Sequence, residues 1–568
     1  MATIPKRIGA IPRSDKKVIA ACAAGTVFEW YDFYLYGALA GIMSQQFFSG
    51  VKDNAAFAFA LMVFAAGFAV RPLGAVIFGR LGDLVGRKYT FLVTVLIMGF
   101  STFAIGLLPS YQSIGLAAPI ILVILRLLQG LALGGEYGGA VTYVAECAPM
   151  GRRGLYTGWI QTTASFGLLL SLGVVLCVRT VLGEVAFELW GWRIPFLCSI
   201  GLLAVSAWAR MQLDESPVFQ RMKDERKIAK SPVQETFLRW GNVKKLLVST
   251  LGLTAGQGVV WYAGQFYALF FLSQTLKVDS NTGSVVRAIA LLCAAPLFVF
   301  FGTLSDRIGR KPIILTGCLI AALAYFPLFK ALTHYANPAL EAALQKTPVV
   351  LVANPSECSI QFNPLDAKKY TSSCDIAKNY LSKAGVSYQN QAAAAGTIAR
   401  VEVGGKVVLS HDAKNAGARE KNAAFAKSMQ DALRENGYPA HANPDAINKP
   451  MVVVILFILV FFVTMVYGPV AAILTELFPT RIRYTSMSIP YHIGNGWFGG
   501  FLPSVAFAMV AAHGDIYYGL WYPVGVACLT VVVGACMVKD TRDVDLAGDL
   551  EDGSGAVNGA QVKQTQRV

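Results

Sequence analysis

Charge is scarce in this sequence. Asp, Glu, Lys and Arg make up 15% of 568 residues, whereas hydrophobic residues reach 55% and the mean hydropathy is +0.51. Such a balance lies far from that of a soluble globular protein. Reactive constellations are missing too. There is no phosphate-cradling glycine loop, no nucleophile–His–acid grouping, and no cluster at metal-ligand spacing. Enzyme and nucleic-acid readings have nothing to stand on, and neither cofactor nor metal is expected. A cleavable leader is not expected either, because the first apolar run is long and carries Glu29 and Asp32. Heptads are absent from residues 539–568, a polar tail that reads as disordered.

What is present is a series of apolar runs of about 20 residues, each long enough to cross about 30 Å of hydrocarbon. Twelve are read, at roughly 18–41, 56–79, 89–108, 117–144, 156–179, 193–213, 245–273, 285–305, 312–332, 449–474, 488–512 and 517–538. They are continuous rather than alternating, which specifies helices and not a barrel. The net charge of +15 follows the same topology. Lys6, Arg7, Arg13, Lys16, Lys17, Arg80, Arg87, Lys88, Arg152, Arg153 and the basic residues between 221 and 230 all fall on one side of twelve crossings. That side is expected to be cytoplasmic and to hold both termini.

The chain repeats itself. Gly79-Arg80-Leu81-Gly82-Asp83-Leu84-Val85-Gly86-Arg87-Lys88 returns as Gly302-Thr303-Leu304-Ser305-Asp306-Arg307-Ile308-Gly309-Arg310-Lys311, an offset of 302 − 79 = 223. Glu146–Arg153 is echoed by Glu476–Arg483, an offset of 476 − 146 = 330. The difference, 330 − 223 = 107, predicts an insertion of about that length in the second half. The expected organisation is therefore 1–213 and 245–332 plus 449–538 as two six-helix bundles, 214–244 as a cytoplasmic linker, and 333–448 as a small extracytoplasmic α+β insertion. Within the insertion, helices are expected near 375–384 and 419–436, and a hairpin around Gly404-Gly405. Cys358 and Cys374 would lie in an oxidising compartment, where a disulfide is the natural use and two separate thiols the alternative. The other eight cysteines read as small packing residues.

The duplicated loop resembles the signature of the major facilitator superfamily. Phe28–Tyr34, Arg71-Pro72-Leu73-Gly74, Arg126–Gly130, Gly134–Gly139, Trp192–Phe196 and Glu215–Phe219 are similar to that superfamily's metabolite:proton symporters. The resemblance implies uptake of a small carboxylate together with protons by a chain functional as a monomer in a bacterial inner membrane. A proline- or glycine betaine-type zwitterion is the alternative solute, and a non-transporting receptor that senses through the insertion is the other class. The family ordinarily has a short loop where the insertion stands. Its osmosensory betaine transporters often carry a C-terminal coiled coil, which is missing here.

Charged residues at lipid depth carry the functional expectation. Glu29 and Asp32 share a helix face one turn apart, and a structural salt bridge is the plain alternative to a proton site. Arg126 and Glu136 lie ten residues, about 15 Å, apart on the fourth span, so each needs a partner elsewhere; Glu29 and Asp32 are the expected ones. Proton coupling is assigned to Glu29, Asp32, Glu136 and Arg126. Solute binding is assigned to Arg71, Arg126, Gln129 and Tyr31. The second half is expected to answer with neutral groups: Gln257, Trp261 and Gln265 at four-residue spacing, then Tyr467, His492 and Asn495. Asp83, Arg87, Asp306 and Arg310 are expected to form a latch, with Asp83 bound to an arginine or facing the start of a helix in the opposite half. Such a latch would favour an outward-open state. Small residues dense in the fourth span should let its neighbours approach closely.

Overall fold

The structure is a computed structural model, and it describes residues 13–49, 63, 66–359, 370–413, 418–544 and 546. Among them ten helices are long and apolar enough to cross a membrane: Arg87–Leu107, Ala117–Cys147, Arg153–Leu182, Arg193–Met211, Trp240–Thr275, Asn281–Ile308, Arg310–Ala336, Lys449–Leu477, Thr480–His513 and Tyr518–Met537. The first span, Arg13–Ala38, and the second, which ends in Arg71–Leu84, complete twelve. Much of the stretch expected as the start of the second span lies outside the described residues. Exposed Leu, Ile, Val, Phe and Trp side chains coat the outside of both bundles, as a lipid-facing surface requires.

The repeated motif is mostly helix rather than loop. The second span continues through Leu84 and the third begins at Arg87, so the turn is only Val85-Gly86. Gly86 takes φ 139° and its repeat Gly309 takes φ 104°, a region that an L side chain adopts only under strain. A Cβ there would also strike the carboxylate of Glu215 or of Asp540. The glycine is demanded twice over at each turn. The fourth span shows the expected close approach, with Gly130 and Gly134 against the backbone of Gly67 and Arg71.

The seventh span is wound unevenly. π-Helical turns occupy Thr250–Thr254, Ala263–Tyr267 and Phe271–Thr275, and another covers Ile493–Gly499 in the eleventh. Such turns concentrate at functional positions. The one beginning at Ala263 shifts the register between Trp261 and Gln265, so the expected stripe of Gln257, Trp261 and Gln265 is not continuous.

The linker between the halves carries a helix at its opening, as Asp214-Glu215-Ser216-Pro217 suggests, and a second one further on. Ser216 caps a helix over Pro217–Asp224 by accepting a bond from Phe219 N, and Pro232–Leu238 forms a second. Of the cysteines expected to pack, Cys22 and Cys318 are buried, whereas Cys177, Cys198, Cys293, Cys528 and Cys536 face outward.

The insertion holds a four-stranded sheet, β1 (Val349–Ala353), β2 (Tyr388–Ala392), β3 (Arg400–Val403) and β4 (Lys406–Leu409), in the order β2-β1-β3-β4. The β3–β4 hairpin and helices Ser373–Ala384 and Ala418–Glu435 sit where the sequence places them. The parallel β1–β2 pair and the helix Pro338–Lys346 were not expected. A disulfide joins Cys358 to Cys374. The insertion is fastened to the second bundle: Tyr388 N donates to Gly514 O (2.6 Å), Asn390 Nδ2 to His513 O (3.0 Å), Lys378 Nζ to Ala512 O (3.3 Å) and Ala442 N to Lys277 O (3.1 Å).

Replacing both Cys358 and Cys374 with Ser removes a cross-link across 16 residues, worth about 3 kcal/mol on the chain-entropy account. Limited trypsin digestion of purified protein should then cut within 333–448 while the membrane helices stay intact. Unchanged protease resistance would show that docking alone holds the insertion.

Candidate functional site

On the side of the repeated turns, two copies of one charge network join the bundles. Asp83 accepts from Tyr484 N (3.2 Å), Thr485 N (2.9 Å) and Thr485 Oγ1 (2.7 Å), capping the start of a helix in the opposite bundle. Arg87 pairs with Asp83 (3.1 Å) and Glu146 (3.5 Å), and Glu146 takes Arg483 (3.1 Å). In the second copy Asp306 accepts from Gly154 N (2.9 Å) and Leu155 N (2.8 Å). Arg310 pairs with Asp306 (2.8 Å) and Glu476 (3.1 Å), and Glu476 takes Arg153 (3.3 Å). Each half thus caps a helix of the other.

A further repeat was missed. Glu215 accepts from Arg87 N (3.1 Å) while Ser216 Oγ donates to Glu146 (2.5 Å). Asp540 accepts from Lys311 N (3.1 Å) while Thr541 Oγ1 donates to Glu476 (2.7 Å). An acid followed by a hydroxyl after the sixth and twelfth spans, offset 540 − 215 = 325, is the signal that would have found it. The tail is therefore not disordered from residue 539: Asp540 and Thr541 are built into the network, and residues 547–568 lie outside the described ones.

Between this network and the insertion lies a buried charge cluster. Glu136 pairs with Arg210 at 2.6 Å, not with Glu29 or Asp32 as the sequence reading had it. Arg210 also donates to Phe91 O (3.1 Å) and lies 3.6 Å over the Phe91 ring. A side chain at Gly25, one turn before Glu29, would collide with its guanidinium. Arg210 stands in the last turn of the sixth span and has no role in the reading of the sequence. Arg126 donates to Gln129 (2.7 Å), which donates to Thr102 (2.7 Å), and the guanidinium lies 4.2 Å over Tyr36. Arg71 lies 4.3 Å over Phe68 and 4.7 Å over Phe33. The charged groups acting on Glu29 are Glu136, Arg210, Arg71 and Asp32, so the acids do converge. Tyr31 is elsewhere: its hydroxyl donates to Pro195 O (2.7 Å), tying the first span to the sixth.

From the second bundle, Gln257 and Asn495 exchange two amide hydrogen bonds (3.0 and 2.9 Å). Tyr467 and Tyr491 share one at 2.8 Å. Tyr491 stacks on Tyr137 of the first bundle at 3.5 Å, with His492 edge-on to Tyr491 at 5.0 Å. Trp261 meets Trp30 at 5.8 Å, Phe266 stacks on Tyr34 at 6.0 Å, and Tyr262 meets Phe68 at 5.9 Å. These cross-bundle rings close the end opposite the charge network. The bundles thus touch through rings on one side and through the charge network on the other. One oxygen each of Glu29, Asp32 and Glu136, with Nε and Nη2 of Arg71, is buried and makes no hydrogen bond among the described residues. Gln265, His492, Arg287 and the Tyr34 hydroxyl likewise have buried polar atoms without a hydrogen bond among the described residues.

The expectation that membrane-depth charge belongs to one half fails at Arg287. It sits in the eighth span, 5.4 Å over Phe266.

The description "Sugar (and other) transporter" matches residues 17–237 and 436–548, more than half the chain. The chain belongs to this family, within the major facilitator superfamily. Among its relatives the shikimate transporter of Escherichia coli K12 is 38% identical over 316 residues, 54% of this chain and 70% of that protein. The alpha-ketoglutarate permease of the same strain is 34% identical over 335 residues, covering 59% and 76%. The glycine betaine/proline/ectoine/pipecolic acid transporter OusA of Dickeya dadantii is 37% identical over 323 residues, covering 55% of this chain but only 64% of OusA. The fold matches that of the proton:xylose symporter XylE with a TM-score of 0.60 at 15% identity, over 94% of this chain and 98% of XylE. The chain therefore has the two-bundle superfamily architecture, and residues 238–435, which take in most of the 333–448 insertion, lie between the matched family segments.

Replacing Arg210 with Met leaves Glu136 buried without its cation, and breaking one side of a buried pair costs about 3–5 kcal/mol. R210M should lower the thermal midpoint of purified protein by several degrees, and R210M/E136Q should recover most of the loss. Equal midpoints for all three proteins would show that the pair contributes nothing to stability.

Proposed function

We propose that this chain is a proton-coupled symporter that imports a small carboxylate-bearing solute by alternating access. One observation carries the reading. Three acids and two arginines, Arg71 and Arg210, meet in a buried cluster of the first bundle, and Arg71, the one nearer the ring seam, keeps two donors open beside it. A guanidinium with open donors matches a carboxylate in geometry and charge. Solute drawn to Arg71 changes the field on Glu29, and the proton affinity of Glu29 and Asp32 follows; by reciprocity, protonation changes the solute's affinity. Gln129, Gln257, Trp261, Gln265, Tyr467, His492 and Asn495 form the neutral wall. The relatives' names support a carboxylate, since shikimate, alpha-ketoglutarate, proline and betaine all carry one.

A zwitterion is the second reading. Trp30, Trp261, Tyr262 and Phe266 crowd together at 4.9–5.8 Å, an aromatic surface suited to a quaternary nitrogen. Asp83, Arg87, Asp306 and Arg310 act as the gate, which must part before the site opens on that side. The gate side is cytoplasmic and holds both termini, the insertion is extracytoplasmic, and a single chain in a bacterial inner membrane suffices.

Proteoliposomes with an imposed proton gradient and labelled 2-oxoglutarate, shikimate, proline or glycine betaine test this. One of the four should accumulate and should bring protons with it. R126A should abolish accumulation, and E29Q should leave exchange while removing its dependence on the gradient. Full gradient-driven uptake by both variants, or ligand binding without flux in the wild type, would remove the symport reading.

A further inference from the structure

Arg287 stands seven residues after Ser280, about 10 Å from the insertion-side end of the eighth span. Its Nε and Nη2 make no hydrogen bond, and no ion pair holds it among the described residues. Facing the same space is Gln265, 2% exposed, whose amide oxygen and nitrogen also make none. The two line a small, partly open pocket between the seventh, eighth and tenth spans, whose other walls are apolar, Ala268, Leu269, Leu456 and Val460 among them. Arg287 is partly exposed, but two of its guanidinium nitrogens and the whole Gln265 amide are buried without partners, which is costly to maintain, so their presence in an apolar wall points to a ligand that answers both.

The placement says which ligand. The Arg287 guanidinium lies over Phe266; Phe266 stacks on Tyr262; Tyr262 meets Phe68, over which Arg71 lies. An arginine therefore stands at each end of one chain of rings. Tyr34, whose hydroxyl also makes no hydrogen bond, is acted on by both cations. Nothing in the cavity offers an acid to a cationic ligand. The planar fork of Arg287 and the amide donor of Gln265 match a carboxylate.

We propose that Arg287 and Gln265 form a second carboxylate subsite, on the insertion side of the ring chain, which holds the solute's carboxylate apart from the central Arg71. This rests on the carboxylate-solute reading above and adds a station to it. Arg287 is a binding residue of the second bundle, so the solute is held by charge from both bundles in turn.

The test uses full-length purified protein and isothermal titration with 2-oxoglutarate, shikimate, proline and glycine betaine, alongside inorganic phosphate at matched ionic strength. R287Q should weaken the binding of whichever organic probe binds by tenfold or more. R287K, which keeps the charge without the fork, should recover part of that loss. Q265L should weaken binding about threefold and stands in for R287Q if that variant does not fold. Unchanged affinity in R287Q, or in Q265L where it stands in, overturns the subsite while leaving the symport reading intact. Weakened binding without proton-driven uptake in the wild type keeps the subsite and sinks symport. Phosphate binding as tight as that of the organic probes, and equally lost in R287Q, overturns the carboxylate assignment. Binding of none of the four by the wild type overturns both.

Discussion

A charge held at lipid depth has to be answered by the protein itself, because hydrocarbon supplies neither water nor counter-ion. The arrangement of this transporter follows from that constraint. Glu136 is answered by Arg210, Arg126 by Gln129 and the Tyr36 face, and Arg71 by two phenylalanine rings. The answers differ in completeness. The Glu136–Arg210 pair is a short contact fixed by a ring and a backbone carbonyl, whereas Arg71 has π faces and open donors. A fully paired charge is a fastener; one with donors left open, as Arg71 has, still has binding capacity. The same fold uses both.

At the opposite extreme stands the network at the repeated turns, where nearly every group is paired. Carboxylates there do two things at once, neutralising an arginine of their own bundle and capping a helix of the other. Because those interactions come in two related copies, the bundles are held at two points instead of one. Parting them exposes four arginines and four acids to water together, which makes the closed arrangement cooperative. The aromatic seam at the other end rests on ring contacts and on a hydrogen bond between Arg71 and the Tyr262 hydroxyl, with no ion pair across it among the described residues. The two closures are thus built from different chemistry, one responsive to ionic conditions and the other to the shape of what lies against it.

Most of this architecture was legible in the sequence because its signals are local. Twelve apolar runs, a loop motif that recurs, and the mismatch of two offsets give the bundles and the insertion directly. The charge network at the repeated turns was legible because duplication marks Asp83, Arg87, Asp306 and Arg310. What escaped was long-range partnership. Arg210 sits in the last turn of its helix, where a basic residue ordinarily marks the membrane edge, and only the packing beside Gly25 shows it turned inward. Arg287 lies near the start of an apolar run and was passed over for the same reason. In the insertion, the hairpin declares itself through Gly404-Gly405, but β1 and β2 pair in parallel across a helix, and β2 is too polar to read as a strand. The continuous stripe on the seventh span was a reading of ideal helix geometry, which the π-helical turns do not keep.

The fastening of the insertion has a mechanical corollary. Its bonds run to Lys277, to Ala512, His513 and Gly514, all in one bundle, so the sheet and that bundle travel as a single piece. Any tilt of the second bundle relative to the first would swing a water-soluble body through an arc beyond the bilayer. A dye or antibody fragment anchored on β4 would register that swing far from the buried charge cluster, like a pointer fixed to one leaf of a hinge.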